Sequence, residues 1–173
     1  MQFSVGDKVV HPYHGPGQVI GVEQKELVDK AQRYYVIQIP LQELTVYVPG
    51  AKLDTVGVRP AMSRAKLSAV LDILHGQPRR LPLDHKERQE EVWERLRPGR
   101  VLEVARVVRD LYWHKNREHL TKKDSDYYDQ ARQRLAAELA LVSDMEFSDA
   151  EQLINEHLAR GWAAKEKLNE GSL

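Results

Sequence analysis

Cysteine is absent from the 173 residues. That excludes disulfides, thiolate metal sites and thiol nucleophiles, and it fits a reducing compartment. Long apolar runs are missing as well. No stretch approaches the roughly 20 apolar residues that a bilayer span needs, and the opening Met1-Gln2-Phe3-Ser4-Val5-Gly6-Asp7 lacks a basic region followed by an apolar one. The expectation is a cytoplasmic protein with no membrane contact. Net charge is lacking too: 26 basic and 26 acidic side chains cancel. The whole-chain basic footprint of a dedicated DNA binder is therefore absent, and any nucleic-acid contact has to come from local patches.

The signatures of common enzymes are also missing. There is no Gly-x-x-x-x-Gly-Lys loop, no Gly-x-Gly-x-x-Gly after a strand and no Gly-x-Ser-x-Gly elbow. The glycines of His14-Gly15-Pro16-Gly17 read as a strand-to-strand turn, because proline removes an amide that a phosphate cradle would use. None of the seven histidines forms the i, i+4 pair that places two imidazoles on one helix face. Glu87, Glu90, Glu91 and Glu94 alternate with Lys86, Arg88, Arg95 and Arg97, the pattern of a solvated helix rather than of a carboxylate acid/base pair. The expectation is a protein with no catalytic residues, no metal and no cofactor, and a monomer by default.

At this length the chain is long enough for two small domains, and 42% apolar residues suffices for real cores. Up to about Arg59 the runs are β-like: Val9-Val10, Gln18 to Val22, Tyr34 to Ile39 and Leu44 to Val48, punctuated by Pro12, Gly15, Pro16, Gly17, Pro40 and Pro49. They predict a small, strongly bent β-barrel. From Ser63 the period becomes helical. A first helix carries Leu67, Val70, Leu71 and Leu74 and ends at Gly76. A second starts near Asp84, buries Val92, Trp93 and Leu96, and stops at Pro98-Gly99. The third buries Val101, Val104, Ala105, Val108, Leu111 and Tyr112 and frays near Arg117 to Leu120. Capping boxes at Thr121-Lys122-Lys123-Asp124 and Ser148-Asp149-Ala150-Glu151 open a fourth helix and a fifth, the last ending at about Gly161 with a frayed tail from Trp162. The predicted class is α+β: a barrel over residues 1–60, a bundle of about five helices over 61–165, and a frayed end over 166–173.

The most basic patch lies on the third helix and the turn after it, with six basic side chains between Arg106 and Lys123 against Asp110 and Glu118. Helical spacing puts Arg106, Arg109, Trp113 and Arg117 on one side, away from the core stripe. Two readings stand. Basic groups around an exposed aromatic suit a phosphate backbone; alternatively, Trp113 packs on a neighbouring helix and the arginines keep the bundle soluble.

The run Phe3-Ser4-Val5-Gly6-Asp7-Lys8-Val9-Val10-His11-Pro12-Tyr13-His14-Gly15-Pro16-Gly17 resembles the opening of the CarD family, an opening shared with the polymerase-interacting domain of the transcription-repair coupling factor. The resemblance continues through Leu44 to Pro49 and Val56 to Arg59, and resumes at Val104 to Leu111 and Ala131 to Ala140. It thus spans both halves, and the motor motifs of a coupling factor are absent. It implies a Tudor/SH3-like barrel that docks on the β subunit of RNA polymerase by extending a sheet edge. It also implies a helical domain that holds promoter DNA at the upstream edge of the bubble with a planar wedge, stabilising the open complex. Lys25, Glu26, Leu27 and Tyr47 would face the polymerase; Lys25 keeps the family's basic residue and Tyr47 stands where arginine is frequent. His85 falls where the family usually has a tryptophan wedge. With Lys86, Arg88, Arg106, Arg109, Trp113 and His114 it makes up the expected DNA-facing set, Trp93 being assigned to the core. His85, His114, Ser125 and Gln130 all depart from the usual aromatic or basic residue, which implies modest DNA affinity. The alternative is an adaptor on the polymerase with no DNA contact.

Overall fold

The computed structural model describes residues 1–27 and 30–170, and the side chains of all of these except residues 26, 27, 30, 169 and 170. They divide into two compact units, one of Met1–Met62 with Leu141–Asp144 and one of Ser63–Ala140 with the described residues from Met145 onward.

In the first unit, β1 (Lys8–His11), β2 (Gly15–Leu27), β3 (Lys30–Ile39), β4 (Leu44–Pro49) and β5 (Arg59–Pro60) form one antiparallel sheet in the order β4-β3-β2-β1-β5. A single helical turn, α1 (Leu53–Val56), precedes β5. The β-branched runs supply the core: Val9, Val19, Tyr35, Ile37, Ile39 and Val48 are buried with Phe3, Leu53 and Val58. A register shift between Val19 and Gly21 leaves Ile20 as an extra, 46% exposed residue, and such bulges bend and twist a strand. Gly17 lies where a Cβ would come within 2.4 Å of the Gln38 carbonyl oxygen, so only glycine allows β2 to fold this closely over β3. The expected barrel is therefore an open, bent form of the Tudor-like architecture, with β4 and β5 as its edges among the described residues. β2 also runs five residues past the stretch that its sequence marks, because pairing with β3 carries the polar residues Glu23 to Lys25 into the ladder.

Among the described residues the helices that follow are α2 (Arg64–His75), α3 (His85–Leu96), α4 (Val101–Arg117), α5 (Lys122–Ser143) and α6 (Phe147–Glu170), all in the second unit except the last residues of α5, from Leu141. Asp84 caps α3, its carboxylate accepting from the Lys86 and Glu87 amides at 2.9 and 3.0 Å. The Thr121 box is formed in full: Thr121 N and Oγ1 donate to Asp124 at 3.0 and 2.8 Å, and the Asp124 amide donates back to Oγ1 at 3.2 Å. α6 departs from expectation at both ends. It starts at Phe147, one residue before the expected Ser148 cap, with Ala150 N bonded to Glu146 O at 3.1 Å. It also runs through Gly161 to Glu170 instead of ending there. Gly161 is not a terminator but a contact point: a Cβ there would lie 2.5 Å from the His75 carbonyl oxygen, so the missing side chain lets α6 press on the end of α2.

Alanine would normally stabilise a helix interior relative to glycine by about 1 kcal/mol. Here the clash with a backbone atom outweighs that gain, and Gly161→Ala is expected to lower stability by about 1–3 kcal/mol in thermal or urea unfolding. A rise in stability would show that α6 does not press on α2 in this way.

Candidate functional site

Each unit presents its own candidate surface. On the sheet, β4 alternates Leu44, Val46 and Val48 inward with Thr45 and Tyr47 outward. Tyr47 is 47% exposed and is covered from β2 by Lys25, whose Nζ lies 4.1 Å from the ring centroid and 3.5 Å from the Glu23 carboxylate. The uncharged tyrosine thus carries a cation over its face, an arrangement stabilised by about 0.5–1 kcal/mol at an exposed site. The structure therefore brings together Lys25 and Tyr47, two of the four residues expected to face a polymerase. The side chains of Glu26 and Leu27 lie outside the described residues.

In the helical unit the expected DNA-facing set is divided. His85 and Lys86 are exposed at the start of α3. Arg88, expected at the surface, is 2% exposed. Its Nη2 donates to Asp124 Oδ2 at 2.7 Å, and its Nη1 donates to the Pro82 and Leu83 carbonyls at 2.9 Å each. Burial pushes the Asp124 carboxyl up, but hydrogen bonds from Arg88 and Thr121 overcome this and hold it below the usual carboxylate value. His114 is buried beside this pair; burial, then the charge of Arg88, lowers its pKa. Arg109 donates through Nε and Nη2 to Asp110 at 3.0 and 2.8 Å, and Arg95 holds the other Asp110 oxygen at 3.0 Å. Arg106 is half-exposed and paired with Glu103.

Trp113, expected on the outer face of α4, is 3% exposed and packs on Trp162 with ring centroids 4.9 Å apart. The reason is the continuation of α6 past Gly161, which brings a second indole into a position that the sequence reading had given to a frayed tail. Arg88, Trp113 and His114 are therefore buried in this structure, Arg109 is half-buried and held by Asp110, and the packing alternative describes Trp113.

Trp93 is misassigned in the opposite sense. Expected in the core, it is 50% exposed, its ring 6.4 Å from that of Tyr127 with 27° between the planes. Enclosing Arg88 turns the buried stripe of α3 onto Arg88 and Val92, and the residue after Val92 is rotated about 100° away from it. Lys86, Gln89, Glu90, Trp93, Lys123 and Tyr127 line a shallow groove between α3 and α5, with Lys123 Nζ 5.7 Å from the Tyr127 ring centroid. The sequence reading missed this groove. Its only signal was the isolated Trp93, whose facing depends on a buried arginine that hydropathy counts as exposed.

Among the described residues no group of three or more His, Cys, Asp or Glu is placed to hold a metal ion, and no helix is long and apolar enough to cross a membrane. His11, 5% exposed, instead organises the β1–β2 turn: its Nδ1 accepts from the Tyr13 and His14 amides at 3.2 and 3.3 Å.

Comparison with known proteins agrees across both units. Residues 3–62 match the CarD-like/TRCF RID domain, and residues 69–155 match the family "CarD, C-terminal domain". YdeB of Bacillus subtilis (strain 168), named as a candidate transcription factor, is 33% identical over 141 residues, which cover 81% of this chain and 92% of that protein. The solution NMR structure of the 72-residue N-terminal domain of Myxococcus xanthus CarD is 30% identical and covers 34% of this chain and 79% of that one. Its TM-score of 0.30 is too low to bear on the fold.

Removing one partner of a buried pair strands the other, so Arg88→Ala is expected to destabilise the helical unit by about 3–5 kcal/mol in chemical unfolding. His85→Ala, at an exposed position, should stay within about 0.5 kcal/mol of wild type. Because the Asp124 pKa is depressed on folding, its contribution is present above the ordinary carboxylate value and is lost as pH falls through the lower folded value. Asp124→Asn should accordingly flatten the loss of stability below about pH 4. Equal tolerance of Arg88→Ala and His85→Ala would contradict the buried assignment.

Proposed function

The chain belongs to the CarD family, and on that premise we propose that it is a transcription regulator that docks on the β subunit of RNA polymerase through its sheet and holds promoter DNA through its helical unit, prolonging the open complex. The observation that carries the reading is the presence in one chain of both the CarD-like/TRCF RID domain and the CarD C-terminal domain. An open sheet edge supports the first contact. β4 offers backbone groups for strand addition, and Tyr47 with Lys25 above it offers a side-chain anchor beside that edge.

For DNA, the α3–α5 groove is the better-supported surface. Trp93 and Tyr127 present planar faces on which unpaired bases stack, and Lys86 and Lys123 provide charge for phosphates at its margins. His85, the residue expected to wedge, lies two turns before Trp93 on the same helix and offers less area. Affinity in isolation is modest, and tethering to the polymerase raises the local concentration at the promoter. The adaptor reading is favoured by a different observation: Arg88 and Arg109 are engaged inside the unit, which leaves fewer cations for a DNA backbone.

Binding to a β-lobe fragment should weaken about five- to tenfold on Tyr47→Glu, which ends the cation–π contact and places a negative charge beside the edge. On a fork-junction promoter the wild-type protein should lengthen open-complex lifetime, with most of the effect lost in Trp93→Ala. No binding to the β lobe would overturn the docking role. Binding without any change in lifetime would leave the adaptor.

A further inference from the structure

A second basic and aromatic cluster lies in the helical unit, lined by none of the residues of the α3–α5 groove; Trp113 and Arg117 belong to it, but its other cations come from the α2–α3 link and α6. The α2–α3 link contributes Arg79, Arg80 and Leu83, the end of α4 contributes Trp113 and Arg117, and α6 contributes Lys165; together they line one pocket. Arg117 and Lys165 approach the Trp113 ring to 5.0 and 5.2 Å from its centroid, so the two cations lie within about 10 Å of each other. Arg80, Arg117 and Lys165 have no carboxylate partner among the described residues, and Arg79 has only a 3.6 Å pair with Glu91. Of the two acids on the lining, Asp110 is saturated by Arg95 and Arg109, which leaves Glu118.

Two further facts point to a ligand. Trp113 is 3% exposed, yet its Nε1 has no hydrogen-bond partner among the described residues, and a buried donor without an acceptor is costly. In addition, Arg117 and Lys165 share one indole and repel each other, with only their cation–π contacts to the ring and the lining Glu118 to offset it, although elsewhere in the same unit Arg88, Arg95, Arg106 and Arg109 each hold a carboxylate. The end of α4 places carbonyl dipoles at this pocket, which disfavours an anion, but that partial charge is small beside four basic side chains.

We propose that this pocket binds a phosphate group. The guanidinium groups of Arg79, Arg80 and Arg117 and the ammonium of Lys165 grip the phosphoryl oxygens, and the Trp113 N–H gains an acceptor as the side chains above it turn toward the anion. The phosphate comes either from a free phosphorylated compound or from a nucleic-acid backbone. The inference does not depend on the polymerase reading.

The test is a titration of the isolated full-length protein, without polymerase or promoter, by NMR of the three tryptophan indole N–H signals, with inorganic pyrophosphate as the probe. A saturable shift of the Trp113 and Trp162 signals is expected at about 1 mM pyrophosphate or below, with the Trp93 signal unmoved. Affinity should fall by about tenfold or more in Arg80→Glu/Arg117→Glu and stay unchanged in Arg134→Glu, a charge reversal at an exposed position of α5 outside the pocket. A short DNA duplex added to the loaded protein separates the sources. Displacement of pyrophosphate assigns the pocket to a backbone phosphate, and retention assigns it to a free compound. No saturable shift in wild type, or equal affinity in the two charge-reversed variants, would overturn the proposal.

Discussion

The helical unit depends on one buried contact, the bond from Arg88 to Asp124. Arg88 satisfies the Pro82 and Leu83 carbonyls ahead of α3, and Asp124 is the acid of the box that starts α5. A single guanidinium therefore fixes how α3 is entered, where α5 begins and which way α3 is rotated. Burying a charged pair costs several kcal/mol of desolvation per ion unless the geometry is good and the remaining donors are used. Here Arg88 makes three hydrogen bonds of 2.7–2.9 Å, while its Nε and the Asp124 Oδ1 have no hydrogen-bond partner among the described residues, so part of the cost is not offset. What the pair supplies is register: with Arg88 inside, Trp93 must lie outside, against Tyr127.

That rotation changes what the unit offers a partner. Two arginines of the row that looks DNA-binding on α4 are engaged within that helix, Arg106 with Glu103 and Arg109 with Asp110, and Arg109 also reaches the Ile73 carbonyl of α2, so these two are not free for phosphate. The planar surface moves to the α3–α5 groove, and Arg117 and Lys165 gather over Trp113, Arg117 also over Trp162. In the sheet unit the constraint is different in kind. Among the described residues the open sheet has β4 at one edge, and the Lys25–Tyr47 contact places a cation there.

Much of the fold was legible because it follows local rules. Alternating β-branched runs located β1 to β4, and Asp84 and Thr121 announced their helices through side chains that accept from free amides. What failed depends on contacts distant in sequence. Gly161 reads as a terminator, yet its role is set by the His75 backbone some 86 residues earlier. Ser148-Asp149-Ala150-Glu151 carries the letters of a capping box, but the helix is already under way from Phe147. Arg88 and Trp93 were exchanged because hydropathy places arginine outside and tryptophan inside, and only the Asp124 carboxylate reverses that order. The candidate site was less legible than the fold for the same reason. Its residues are defined by facing, and facing here is decided by buried charge.

The central claim is that the buried arginine turns an aromatic platform outward to meet unpaired DNA. It is tested most directly by 2-aminopurine placed at the upstream edge of the bubble in an open complex with the polymerase. Stacking on the platform should quench its fluorescence when the wild-type protein is added, and the quench should be lost in Trp93→Ala but retained in His85→Ala. A quench that survives Trp93→Ala and disappears in His85→Ala would contradict the account and return the wedge to the start of α3.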